Sequence, residues 1–248
     1  FKNWGKTNNF GFKKFIKNCL NKSCVIDVGA HVGLMALPAS FKLKKGGRIF
    51  CFEPSDTNRK YLVKHIKINY IKNIFIFRDV VSDKNNSNVY FFEKKVPSGL
   101  NSVSEIRNKG FFAKKLKKTV TLDMFVKEKK ICPEIIKIDV EGYEFNVLKG
   151  SKNVIQKYKP VIFLSIHPNH LKKLKIKETQ LFNFINKLNY NIIQINKNDT
   201  NELLLSPKWM KSKIFLFFKT INSRGLLCTI KAVFYHFLVK TLLLLGNK

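Results

Sequence analysis

Short apolar runs alternate with longer amphipathic stretches through most of the chain. "CVIDVG" (24–29), "RIFCF" (48–52), "NIFIFRDVVSD" (73–83), "EIIKID" (134–139) and "PVIFLSIHP" (160–168) are brief and nearly continuous in apolar character, the pattern of strands buried on both faces. Between them lie helix-like stretches. "AHVGLMALPASFKL" (30–43) should be shortened or kinked by Pro38. Residues 55–70 open on a Ser55 cap and place Leu62, Ile66 and Tyr70 at helical spacing. "GYEFNVLKG" is a short helix closed by Gly150. The order β-α-β-α-β predicts an α/β fold with a mostly parallel, doubly wound sheet. "FGFKKFIKNCL" is a short leading helix and "SNVYFF" an extra strand, while Lys-rich 93–118 reads as a long loop. "TVTLDMFVKE" is a strand turning into a helix with Asp123 near its start, and "ETQLFNFINKLNY" is a helix. Late strands follow in "NIIQIN" and "NELLLSP". The predicted organisation is a helical lead-in over 1–22, one domain over 23–207 and an appendage over 208–248.

Charge changes the picture in one respect. The chain of 248 residues carries a formal net charge of +31, but 42 of its 47 basic residues are lysine and only 5 arginine. Arginine reads phosphates and bases better than lysine does. A compositional bias therefore accounts for the charge better than a dedicated nucleic-acid surface. From Lys208 onward the chain is basic, aromatic and apolar with no acid. Two readings stand: helices lying on an anionic membrane surface, or a helix pair packed on the domain or on a second copy. Its longest apolar part, Ala232 to Leu245, is interrupted by Lys240 and short for a span.

The odd set of five cysteines has no CxxC pair and no zinc spacing, which fits a reducing, cytoplasmic setting, peripheral to a membrane if the tail binds one. Cys51 and Cys132 adjoin apolar runs and are expected to be buried. The chain opens on Phe1 rather than Met, as a fragment or a processed form would.

The candidate chemistry sits at strand ends. "VIDVGAHVG" puts Asp27, Gly29, Ala30 and Gly33 at the first strand-to-helix turn. Gly29 accepts positive φ and Gly33 permits close approach. The spacing is not that of a pyrophosphate cradle. Glu53 closes the second strand, where a carboxylate accepts hydrogen bonds from both ribose hydroxyls. Together they describe a nucleoside cofactor without phosphates, for which S-adenosylmethionine fits, with Asp27 near its amino acid portion.

With "VIDVGAHVG", "FCFEPSDTNRKYLVKHIKIN", "VVSDKNNSNVYFF", "GLNSVSEI", "VTLDMFV" and "IIKIDVEGYEFNVLKGSKNVIQKYKPVIFLSIHP" in this order, the chain resembles the FkbM-type methyltransferases from about Cys24 to Pro168. The strand followed by D-V-E-G-x-E and L-K-G is the most specific element. The resemblance implies a Rossmann-like class I fold with a seven-stranded sheet. It also implies S-adenosylmethionine-dependent methyl transfer, usually to an oxygen of a sugar or natural product. One departure is Ser165 in "LSIHP", where members commonly carry Glu.

In the implied fold Asp139 and His167 face the methyl group from neighbouring strand ends. His167 is then the general base, matched to neutral pH by its reference pKa. Asp139 lies near the cationic cofactor or the substrate, and Glu141 orients a hydroxyl or His167. A divalent cation held by Asp139 and Glu141 is the alternative, and helix capping by either acid is another. Glu144 is expected on the next helix, paired with Lys137 or a nearby lysine. His31 is read as packing or cofactor-proximal. "SGLNSVSE" (98–105) either lines an acceptor pocket or stands in solvent. The expected acceptor is a glycan or other small molecule. An RNA methyltransferase, with basic and aromatic residues around its cleft, and a non-catalytic membrane-bound module are the rivals.

Overall fold

The computed structural model describes residues 10–103, 112–196 and 199–209. The chain divides into two compact units, Phe1–Pro207 and Lys208–Lys248. The membrane-surface expectation for 208–248 lies outside the described residues, apart from 208 and 209. No helix among the described residues is long and apolar enough to cross a membrane.

The first unit is built on a seven-stranded sheet. Its strands are β1 (Cys24–Val28), β2 (Arg48–Phe52), β3 (Ile74–Phe77), β7 (Ile135–Ile138), β8 (Val161–Ser165), β9 (Tyr190–Asn196) and β10 (Asp199–Pro207). They are ordered β3-β2-β1-β7-β8-β10-β9. β3, β2, β1, β7 and β8 run parallel, and β10 is antiparallel to both β8 and β9. Every residue of β1 and β7 is buried, as their continuous apolar runs require. The strand order reverses beside β1, and open α/β sheets bind ligands at the carboxyl ends of strands at such a point.

Both faces are covered. One core gathers Ile26, Phe50, Phe52, Ile136, Ile138 and Leu164 against α4 (Leu122–Lys129), α5 (Glu144–Lys149), α6 (Lys152–Tyr158) and α8 (Glu178–Lys187). The other gathers Val25, Ile49, Cys51, Ile135 and Phe163 against α1 (Phe10–Asn18), α2 (Ala36–Ser40) and α3 (Asp56–Ile68). The leading helix packs into this core: Phe15 on α1 is fully buried and meets Phe163 edge-on at 5.3 Å.

The elements follow local chemistry with instructive exceptions. Ser55 caps α3 by accepting from the Asn58 amide at 3.2 Å. Thr121 caps α4 through Met124 in the same way. Asp123 also reaches across to the first amides of α6, Asn153 and Val154. α2 is only five residues long, with Pro38 at its centre, and the stretch before it is a turn. α3 stops at Ile68, so Tyr70 is not on an apolar helix face; it lies beyond the helix, 88% exposed. Gly150 ends α5 at an ordinary φ of −74. Its need is space, because a Cβ there would lie 1.9 Å from the Ser82 carbonyl oxygen. Cys51 is buried, whereas Cys132 is exposed, contrary to expectation.

The largest correction concerns 93–118. Residues Ala113–Val120 form β6, which pairs antiparallel with β5 (Asn88–Glu93) and parallel with the two-residue β4 (Val80–Val81). The run "NIFIFRDVVSD" is thereby split between two sheets. β6 hides its strand character by inverting polarity. Lys115 and Lys117 turn toward Asp56 and Glu93, while Leu116 faces out at 59% exposure. An apolar-inward alternation is absent because ion pairs take its place.

Candidate active site

The carboxyl ends of β2, β1, β7 and β8, with the amino-terminal half of the antiparallel β10, open on a cavity of about 370 Å³. Its wall includes Gly29, Ala30, His31, Glu53, Asp139, Glu141, Ser165 and Glu202.

Backbone amides hold its first half. The Glu53 carboxylate accepts from the His31 amide at 2.7 Å and from the Ser55 amide at 2.9 Å. Burial nevertheless pushes its pKa up to about 7 against those bonds. The His31 amide is aimed by a left-handed φ of +53, one residue past Ala30. Gly29 has φ +82, and a Cβ on it would fall 1.8 Å from the Asp139 carbonyl oxygen. Gly33, at φ +94, does not line the cavity; a Cβ there would strike Leu37 and Leu62. Its role is packing behind the turn. The "SGLN" stretch belongs to the wall: Ser98, Gly99 and Asn101 line the cavity, and Ser98 bonds both ways with the Asn58 carboxamide.

Asp27 stands elsewhere than the sequence placed it. It is fully buried, is not on the cavity wall, and pairs with Lys137 Nζ at 3.1 Å. Lys137 also donates to the Gly29 carbonyl at 2.8 Å and lies 3.6 Å from Asp139. Burial opposes its charge, but Asp27 and Asp139 hold its pKa above the usual lysine range. Asp27 therefore acts on the cavity through Lys137. Sequence reasoning offered Lys137 or a nearby lysine to Glu144 and did not see Lys137 as a wall residue; its place two residues before Asp139 was the available signal.

Side-chain charge holds the second half. Glu141 sits at φ +53, followed by Gly142 at +102, a strained turn for a non-glycine residue. That turn brings Glu141 Oε1 to 3.4 Å from His167 Nε2, with Asp139 Oδ1 at 3.7 Å from the same nitrogen. His167 Nδ1 meets Glu144 Oε1 at 2.8 Å. Glu144 is wholly buried and also accepts from the Gly142 amide at 2.8 Å, so it pairs with histidine rather than lysine. With Nδ1–H donating to Glu144, Nε2 is the nitrogen that faces Asp139 and Glu141.

Burial works against a charged His167 ring, yet the Glu144 bond and the nearby carboxylates lift it to about 9. Burial, with Asp139 and Glu144 adding to it, lifts Glu141 to about 7 despite His167. Both departures change the roles read from sequence. His167 is not poised at neutrality and is not on the cavity wall, while Glu141 is both. His170, missed in the sequence, stacks on His167 at 5.7 Å and bonds the Glu141 carbonyl at 3.0 Å. Its spacing of three from His167 on α7 (Pro168–Lys173) was the signal.

Where the resemblance expects a glutamate, Ser165 Oγ donates to Glu202 Oε1 at 2.9 Å from the neighbouring strand. An acid is thus present beside position 165, supplied by β10. Among the described residues on the cavity wall, Lys137 is the only lysine or arginine. Among the described residues the wall thus shows little of the basic lining that an RNA reading expects.

The family model described as "Methyltransferase FkbM domain" matches residues 27–204. The chain belongs to the FkbM methyltransferase family. S-adenosylmethionine is the donor typical of that family. No curated protein sequence matches the chain. Among solved structures it is similar to the methyltransferase FkbM from Methylobacillus flagellatus KT, at 19% identity and a TM-score of 0.49 over 75% of this chain. The FkbM domain here spans 43% of that longer protein. It is also similar to SMU.1697c from Streptococcus mutans in complex with SAH, at 12% identity and a TM-score of 0.44, covering 77% of this chain and 92% of that one. An rRNA methylase from Streptococcus thermophilus matches at 10% identity and a TM-score of 0.47, covering 78% and 90%.

Proposed function

We propose that the chain transfers a methyl group from S-adenosylmethionine to a hydroxyl oxygen of a sugar or related neutral small molecule. The observation that carries the reading is the pairing, in one cavity, of a backbone-held Glu53 with Asp139 and Glu141, which His167 backs from outside the wall.

The residues present fit the donor. Glu53 presents a carboxylate to two ribose hydroxyls, and Gly29 and Ala30 offer bare backbone against which a nucleoside can lie. Two buried polar atoms in the wall, His31 Nε2 and Asn101 Nδ2, have no hydrogen-bond partner. Both atoms are out of solvent reach, and an unsatisfied buried group costs about 1–3 kcal/mol. When bound, the sulfonium supplies an electrophilic methyl group. The carboxylates at Asp139 and Glu141 favour a cation there, and Asp27 offsets the charge of Lys137 beside them.

The chain must also align the acceptor and take its proton. Glu141 lines the cavity with a pKa of about 7, so its carboxylate receives the proton. The His167 ring, held by Glu144, sits behind Glu141 as its charge partner. A second reading is favoured by the same geometry. Asp139, Glu141 and His167 offer atoms within 4.8 Å of one another, and the Glu144 bond fixes the histidine tautomer, as ligands of a divalent cation require. A cation held by these residues would polarise the acceptor oxygen and make its proton easier to remove.

The test is transfer of labelled methyl from S-adenosylmethionine to a panel of methyl glycosides and to RNA, with and without a chelator. Transfer to glycosides that survives chelation supports the Glu141 reading; loss restored by added divalent metal selects the cation. Transfer to RNA alone would sink the sugar acceptor. The 208–248 tail is proposed to bring the domain to anionic membranes, which flotation with acidic liposomes tests.

A further inference from the structure

The small sheet presents an outward face that the core does not use. Along β5 and β6 every second residue points the same way. Register pairs Asn88 with Lys118, Tyr90 with Leu116 and Phe92 with Lys114 on this face. The opposite face carries Glu93, Lys115 and Lys117, which are joined in ion pairs. Tyr90 and Leu116, directly opposed, stand 55% and 59% exposed. Two large apolar side chains exposed side by side at the edge of a groove form a contact surface. The Lys114 ammonium lies 3.9 Å from the centre of the Tyr90 ring and steadies it by a cation–π contact.

This face borders an open groove of about 580 Å³. Tyr90, Phe92 and Lys114 line it on one side, and Leu174 at the end of α7 lines it on the other. Val103 lines both this groove and the active-site cavity, so one begins where the other ends. The partition is fixed to β5. Ser102 exchanges backbone hydrogen bonds of 2.8 and 3.1 Å with Phe92, and the Asn101 carbonyl accepts from the Lys94 amide at 3.0 Å. At about 370 Å³ the cavity is near the small end of the roughly 300–1,000 Å³ that encloses one drug-sized ligand. With the donor in place it has room for the reacting ring and little more. A longer acceptor has a way out past Val103.

We propose that the acceptor is an oligosaccharide, with its terminal ring in the cavity and its next rings laid over Tyr90 in the groove. The inference rests on the sugar O-methyltransferase reading and names its substrate class. A pyranose has an apolar C–H face and a rim of hydroxyls. The exposed tyrosine ring suits the face. The Lys114 ammonium, a donor, and the Asn88 carboxamide, donor and acceptor, suit the rim. From Asn88 to Phe92 the strand offers roughly 13 Å of floor, longer than one ring. A stacked nucleobase would use the same tyrosine, but its phosphates would lead into a cavity walled by Asp139 and Glu141.

The test uses the full chain. Labelled methyl transfer is followed on the methyl glycosides of glucose, galactose, rhamnose and N-acetylglucosamine, and on the di- and trisaccharide of each sugar that is methylated. For wild type, kcat/KM should be about 2- to 12-fold higher on the trisaccharide than on the single unit, the worth of one aromatic contact, mainly through a lower KM. In Tyr90→Ala that ratio should fall close to one. Tyr90→Phe keeps the ring and should keep the ratio. Calorimetry should give a dissociation constant for S-adenosylhomocysteine within about twofold of wild type in both variants. A flat length series in wild type overturns the inference and leaves the sugar reading standing. A ratio that survives Tyr90→Ala also overturns it, because a merely structural tyrosine would lower both acceptors alike. No transfer to any saccharide by wild type, with S-adenosylhomocysteine still bound, overturns the sugar reading and the groove assignment with it. Transfer to RNA that Tyr90→Ala weakens would give the groove to nucleic acid instead.

Discussion

The two halves of the cavity are held in different ways. On the β2–β1 side, Glu53 is clamped by main-chain amides and Gly29 leaves no room for a side chain. On the β7–β8 side, Asp139, Glu141, Glu144 and His167 hold one another by charge, and His170 stacks on His167 and bonds the Glu141 carbonyl. The amides of a backbone clamp do not titrate, although the Glu53 carboxylate they hold has a pKa of about 7. A charge cluster has a shape and basicity that depend on the protons it carries. The first suits a constant donor, and the second suits the acceptor chemistry.

The sharpest break in this comparison is Gly29→Ala. At φ +82, with the new Cβ 1.8 Å from a main-chain oxygen, nothing flexible can yield. Differential scanning fluorimetry should show a lower melting temperature and no response to S-adenosylhomocysteine. A normal response would mean that the turn has slack the geometry denies. Next is Glu141→Gln, which keeps shape and removes the base. The expected loss is about 10²- to 10⁴-fold in kcat, with S-adenosylhomocysteine binding intact by calorimetry. Retained turnover would return the proton to His167. Glu53→Gln should instead leave the cluster alone and weaken donor binding about 10- to 100-fold.

These contrasts explain what was legible in the sequence. "VIDVG" and "FCFEP" could be read because backbone-built sites need particular residues at local spacing, a positive-φ glycine and a strand-end acid. The FkbM resemblance carried the sheet in the same way. The charge cluster was legible only as a list of acids. That Glu144 holds His167, that Lys137 belongs to Asp27, and that Glu202 stands beside Ser165 are facts of strand register and burial over separations of 23 to 110 residues. β6 escaped for a related reason: its inward positions are lysines satisfied by Asp56 and Glu93, so the hydrophobic pattern is silent where the fold is not.

The pH dependence separates the halves more finely. Glu141 must be ionised to take a proton and Glu53 to hold the ribose; both have a pKa of about 7, so kcat/KM should rise through that pH, and kcat at saturating donor isolates the Glu141 part. The imidazolium of His167, with a pKa of about 9, supports that carboxylate until it titrates, so the profile should fall above pH 9. In His167→Gln the alkaline limb should vanish. The acid limb should also move up, because His167 is a charge that lowers the Glu141 pKa. An unchanged profile in that variant would disconnect the two residues.

The smallest effect tests the clamp itself. Ser55 does two things at the β2 end: its amide donates to Glu53, and its hydroxyl caps α3 by accepting from Asn58. Ser55→Ala removes the second and keeps the first, since alanine still has the amide. A lost cap costs about 1 kcal/mol, which in a domain of this size lowers the melting temperature by about 2–4 °C. If the donor side is held by backbone alone, S-adenosylhomocysteine affinity should not follow the stability down. If affinity falls tenfold with so small a loss of stability, the Glu53 clamp depends on the buried side chains of the α3 start. The division between a backbone-held half and a charge-held half would then fail at its firmest point.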